Sequence, residues 1–126
     1  MRKPIYVYDI ETYPDIFTFV FRSVQKVKEH KVFEISSRRN DLRELVSFLN
    51  IPHIGIGYNN VFFDYPILHF VMENPTCTLD ELFAEKEDIF GRQFAKIPVY
   101  LHKHEQVDLM KIWHYDNRAR SCSLKW

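Results

Sequence analysis

Asp9 and Glu11 stand two residues apart at the end of the apolar run Ile5-Tyr6-Val7-Tyr8. In an extended chain such residues point to the same side, with Cα atoms roughly 6.5 Å apart. Two hard oxygen ligands on one face of a strand end suit Mg²⁺ or Mn²⁺. A third carboxylate, Asp64, closes the run Asn60-Val61-Phe62-Phe63-Asp64, which follows a second short apolar segment. Ligands in α/β sheets gather at the carboxyl ends of parallel strands. If the two apolar segments are neighbouring strands, the three carboxylates converge. Two divalent ions ~3.5–4 Å apart could then activate a water and stabilise the leaving oxygen of a phosphodiester. Oxygen-only ligation favours Mg²⁺ or Mn²⁺ over Zn²⁺. Each signal alone has an ordinary alternative: an Asp-x-Glu pair in a solvated turn, or an Asp capping a Pro-started helix. Both together, each after an apolar strand and in this order, are far more specific.

The elements that must position these residues read as follows. Residues 5–9, 16–21 and 31–35 are three short strands, the first two joined by the turn-like Tyr13-Pro14-Asp15. They predict an antiparallel meander. Asp41-Leu42-Arg43-Glu44 resembles a capping box, and Leu42, Leu45, Val46 and Leu49 recur at helical spacing. Residues 53–58 form a buried strand, which the intervening helix makes parallel to a neighbour. Pro66 suits the first turn of a second helix, with Ile67, Phe70 and Val71 as its buried stripe. Thr78 to Glu81 is another capping box, opening a third helix. The charged segment 85–96 reads as a helix end plus a loop. Residues 99–101 and 106–109 read as short strands, and a helix begins at Met110. The order β-β-β-α-β-α predicts an α/β fold, a mixed β-sheet flanked by helices.

Bulk composition sets limits on function. The 126 residues suit a single domain. Lys plus Arg and Asp plus Glu number 17 each, so there is no basic excess of the kind that coats duplex DNA by charge alone. A balanced chain remains compatible with a site whose metal ions carry the positive charge. Cys77 and Cys122 are isolated, which points to a reducing compartment. No apolar run approaches the ~18 residues of a membrane span, and the N-terminus lacks a signal-peptide core. A soluble, cytoplasmic (intracellular) protein is expected.

Asp9-Ile10-Glu11-Thr12 and Asn60-x-x-Phe63-Asp64 together resemble the first two motifs of DEDD-type (DnaQ-like) 3′–5′ exonucleases. The likeness is strongest to the proofreading domains of phage and family-B DNA polymerases. It implies a ribonuclease H-like fold and metal-dependent hydrolysis at the 3′ end of single-stranded DNA. Asp9 would bridge two Mg²⁺ or Mn²⁺ ions, with Glu11 and Asp64 as further ligands. Thr12, Asn60 and Phe63 would contact the terminal nucleotides, Phe63 by stacking on a base or, in the plainer reading, by packing in the core. Ser123-Leu124 is similar to a Ser/Thr-Leu motif that touches single-stranded DNA in family-B enzymes, and a helix N-cap explains this Ser equally well.

The family carries a fourth carboxylate in a later Tyr-x-x-x-Asp or His-x-x-x-x-Asp motif, which this chain lacks. Asp108 lies in the Val107-Asp108-Leu109 run ahead of the Ser-Leu motif and is not expected to replace it, and Asp116 has the wrong spacing. Residues 1–126 are therefore expected to form one partial, C-terminally truncated exonuclease-like domain. It would be a fragment, half of a split enzyme, or a short form with reduced activity. A polymerase domain or a second chain carrying the third motif would then be a partner. A catalytically incomplete module that binds single-stranded nucleic acid is the alternative. The choice of DNA over RNA rests on 2′-OH contacts that a sequence does not display, so RNA stays open. His102, His104 and His114 do not make a zinc pattern, and alternating His in a strand reads as a solvated face. Gly55-Ile56-Gly57 lacks the rest of a dinucleotide loop.

Overall fold

The computed structural model describes residues 3–92 and 97–113. Ser123 and Leu124, like Cys122, His114 and Asp116, lie outside the described residues. Five strands form one sheet in the order β3-β2-β1-β4-β5. β1 (Ile5–Tyr13), β2 (Ile16–Ser23) and β3 (His30–Ser36) make the expected antiparallel meander. β4 (Ile54–Gly57) then pairs parallel with β1, and β5 (Glu105–Asp108) parallel with β4. The result is a mixed α/β sheet flanked by helices, compatible with a ribonuclease H-like fold.

Alternation decides which side of the sheet is covered. Along β1, Tyr6, Tyr8 and Ile10 are buried, while Val7, Asp9 and Glu11 are exposed. Directly paired residues share a face, so Phe17, Phe19 and Phe21 of β2 join the buried set, with Phe33 and Ile35 of β3. This aromatic face packs against α1 (Leu42–Leu49), α2 (Asp64–Glu73) and α3 (Leu79–Gly91) through Leu45, Leu49, Ile67, Leu68, Val71 and Leu82. Phe21 is the hub, with Tyr8 stacked at 5.5 Å and Phe48 at 4.7 Å. The opposite face carries Val7, Val20 and Val32, each at least about a third exposed.

Glycine is obligatory twice in β4. A Cβ at Gly55 would lie 2.9 Å from the Tyr8 ring, and one at Gly57 2.8 Å from Cβ of Asn60. The Gly-x-Gly sequence thus lets two side chains cross β4.

Three local expectations are corrected. Asp41 does not cap α1, because its carboxylate accepts from the Glu34 backbone N–H at 2.9 Å and pairs with Arg39 at 2.7 Å. Asn40 Oδ1 takes the Leu42 N–H in its place. Residues 99–101 form a 3₁₀ turn, not a strand: with Pro98 at its N-cap, Leu101 N–H bonds Pro98 O and His102 N–H bonds Val99 O. His102 and His104 are not a solvated strand face. His104 is buried, stacks on His53 at 4.0 Å, and its Nε2 bonds Leu49 O at 2.7 Å. The Thr78–Glu81 capping box, by contrast, is complete in both directions. Among the described residues no helix is long and apolar enough to cross a membrane.

Candidate functional site

Asp9 and Glu11 sit inside β1 and not at its end, because antiparallel pairing with β2 continues to Tyr13. What ends early is the parallel side: β4 pairs with β1 only from Ile5 to Val7. Pro4 O accepts from Ile54 N–H, so the even-numbered residues of β1 turn their backbone groups toward β4. Past Val7 that edge of β1 is vacated. The chain leaving β4 turns there and starts α2 at Asp64, whose carboxylate faces the free Ile10 N–H. Both carboxylate-bearing segments therefore meet at one place, where a parallel strand pair parts.

The turn between β4 and α2 is held from below. Asp108, at the end of β5, accepts from the backbone N–H of Asn59 at 2.8 Å, Val61 at 3.3 Å and Met110 at 3.1 Å. This bracket fixes Asn59 in the left-handed region at φ 57°, which Asn tolerates. Asn60 adds a second tie: its Nδ2 donates to Gln106 Oε1 at 2.7 Å, and the Tyr8 hydroxyl donates to the same oxygen. The Tyr65 N–H bonds Asn60 O at 2.7 Å, starting α2.

The electrostatics centre on Asp64. It is 5% exposed, and its carboxyl is pushed up to about 8, first by burial and then by the charge of Asp9. The Ile10 N–H opposes this, while Glu11 and Asp108 push further upward. The Tyr8 phenol is also raised well above its ordinary value, mainly by burial and then by Asp64. Like charges around a buried carboxylate disfavour its ionisation. A divalent cation would reverse that preference, and the donor set is all hard oxygen, so the residues fit Mg²⁺ or Mn²⁺. The carboxylates are not drawn into a cage, however. Among the described residues no three His, Cys, Asp or Glu side chains stand close enough to hold a metal ion. Mutual repulsion gives uncompensated carboxylates no reason to gather tightly.

The other expected contacts fall out differently. Thr12 is half-buried in β1, opposite Phe17. Asn60 is fully buried, so it supports the turn from within and offers no surface to a nucleotide. Phe63 packs against the core and stacks on Phe90 at 4.6 Å. Sequence reasoning missed Tyr8, Gln106 and the bracket made by Asp108. Tyr8 alone left a signal: its place in the buried alternation required a partner for its hydroxyl.

No protein-family model matches the chain, and no curated protein matches it. Among solved structures it is similar to the family B DNA polymerase from the hyperthermophilic archaeon Pyrobaculum calidifontis, with 18% identity and a TM-score of 0.46. The match covers 90% of this chain and 16% of that polymerase, so the chain spans a small part of its length.

Proposed function

We propose that this protein is a metal-dependent 3′–5′ exonuclease of the proofreading type, acting on 3′ ends of single-stranded DNA. The observation that carries the reading is the buried Asp64 carboxyl, held near 8 by its burial and by Asp9 and Glu11. A structural carboxylate in such a place is satisfied by a base or, as Asp108 is, by several backbone N–H groups. This one is set against other acids, as a cation site requires. Asp9, Glu11 and Asp64 would hold two Mg²⁺ or Mn²⁺ ions, which supply Lewis-acid activation of water and neutralise charge at the phosphodiester. The chain's own work is placement. β1 fixes the spacing of Asp9 and Glu11, the Ile10 N–H orients Asp64, and the Asp108 bracket holds the turn that delivers it. Thr12 and Phe63 are the chain neighbours of Glu11 and Asp64, so they are the residues that would grip a strand end, and the resemblance adds Ser123-Leu124 to them.

The test is incubation with 5′-labelled single-stranded DNA and Mn²⁺, beside an Asp9→Ala/Glu11→Ala control. Stepwise shortening from the 3′ end, absent in the control, is expected. An intact fold without cleavage would reject the enzyme. That outcome leaves the second reading, a single-stranded nucleic-acid-binding or split-enzyme module completed by a segment carrying the third motif. The open arrangement of the three carboxylates is the observation in its favour.

A further inference from the structure

The ring that the sequence points to as a base-stacking surface is half-buried. Phe63 packs inward on the core, and its other neighbour is the Phe90 ring, 23° from parallel. Phe90 itself, in the last turn of α3, is 61% exposed. A large aromatic that far out of the core contributes little to burial, yet this one is held in place. Phe63 stacks on it, and the Lys86 ammonium lies 5.7 Å from its centroid and 4.3 Å from that of Phe83. Lys86 is only 7% exposed, so this cation is fixed among the rings and not waving in solvent. Among the described residues, a Cβ on the adjacent Gly91 would meet nothing within 4 Å.

We infer that Phe90 is the outer plate of a stacking platform, and that it receives an unstacked base of the single strand whose end reaches Asp64. The inference rests on the function proposed above and names a subsite of it. Phe63 stands immediately before Asp64 in the chain, so a base laid on Phe90 lies one ring beyond the residue that joins the platform to the carboxylates. Base–aromatic stacking is tolerant of sequence, as an enzyme working on any 3′ end needs. Phe63 then serves as the inner support that keeps the Phe90 plane fixed. Thymidine and uridine strands share the stacking face, and a parallel pair of probes separates them.

The experiment is a binding titration with Ca²⁺ in place of Mn²⁺. The probes are an oligothymidylate ending in 3′-2-aminopurine, the matching oligouridylate, and an oligothymidylate with abasic 3′-terminal positions. Wild type, Phe90→Ala and Phe90→Trp are compared, with thermal melts confirming that all three fold alike. Phe90→Ala is expected to weaken the base-bearing strands about ten-fold. It should also abolish 2-aminopurine quenching and leave the abasic strand unchanged, while Phe90→Trp retains binding and quenching. Equal affinity of wild type and Phe90→Ala would overturn the platform. If wild type still shortens DNA with Mn²⁺ in that case, the exonuclease reading stands and only the platform falls. Loss of binding in Phe90→Ala without any cleavage by wild type would support the platform and reject the enzyme. A wild type that neither binds nor cleaves would overturn both.

Discussion

Two buried polar clusters flank the same pair of parallel strands, and they solve the problem of burial in opposite ways. Near the start of β4 and β5, His53 and His104 stack face to face. The His53 backbone N–H donates to His104 Nδ1 at 3.3 Å, and His104 Nε2 bonds Leu49 O. Burial drives both imidazoles toward neutrality, His53 to about 4. Charge is simply expelled there. At the far end of β4 and β5, Asp64 and Asp108 are equally buried, at 5% each. Asp108 satisfies its oxygens with backbone N–H groups, whereas Asp64 has the Ile10 N–H against the fields of three acids. The first cluster sheds its charge, although among the described residues His53 Nε2 is buried without a hydrogen-bond partner. The second leaves a negative imbalance at a buried carboxyl, and under the proposed function an external cation would resolve it.

Breaking the support at the acidic end gives the largest expected effect. Asp108→Ala strands the N–H groups of Asn59, Val61 and Met110 and should cost about 3 kcal/mol of stability in urea denaturation. Asp108→Asn, which keeps one acceptor oxygen, should cost roughly half of that. The opposite sign is expected one step away. Asp64→Asn removes a carboxylate that resists ionisation, so at pH 8 it should raise the melting midpoint by about 5 °C while abolishing the proposed metal-dependent cleavage. A destabilised Asp64→Asn would show that the imbalance is not there.

The pH dependence sharpens the comparison. His53 titrates near 4 when folded and 6.5 when unfolded, so its contribution is complete above 6.5 and is lost as pH falls toward 4. Asp64 titrates near 8 when folded and 3.8 when unfolded, so its contribution is present at acid pH and is lost as pH rises from 3.8 through 8. The two slopes oppose each other between about 4 and 6.5. Melting curves of wild type should therefore be shallow in pH there, and Asp64→Asn should reveal a clear loss of stability on acidification. A wild-type slope as steep as the variant's would contradict the opposition. The smallest effect belongs to neither cluster: Thr78→Ala, breaking the reciprocal cap of α3, should cost about 1 kcal/mol in the same denaturation assay.

Much of the site was legible in the sequence because it depends on local pattern. Period-two alternation in β1 placed Asp9 and Glu11 on one face, and the apolar runs before them and before Asp64 placed both segments at strands. Elements that depend on distant partners were not legible. Asp41 looks like a cap until Glu34 and Arg39 claim its carboxylate. His104 looks solvated until α1 and His53 close over it. Asn60 looks like a surface contact until Gln106, reached only through the β4–β5 pairing, ties it inside. Asp108 reads in the sequence as a poor stand-in for the missing ligand, and its grip on three backbone N–H groups follows from the turn geometry and leaves no mark in residue spacing.

The early parting of β4 from β1 also has a kinetic consequence. The meander pairs Tyr13 with Ile16 across a tight turn, whereas the parallel ladder must bring Ile54 to Ile5 and Asp108 to Gly57. Closing those longer loops costs more entropy and is expected to come later in folding. Asp9 and Glu11 would thus acquire their spacing early, and Asp64 would join only when the last ladders dock. A cation that needs all three would ignore partly folded chains and bind the finished protein, so adding it should pull folding forward by mass action.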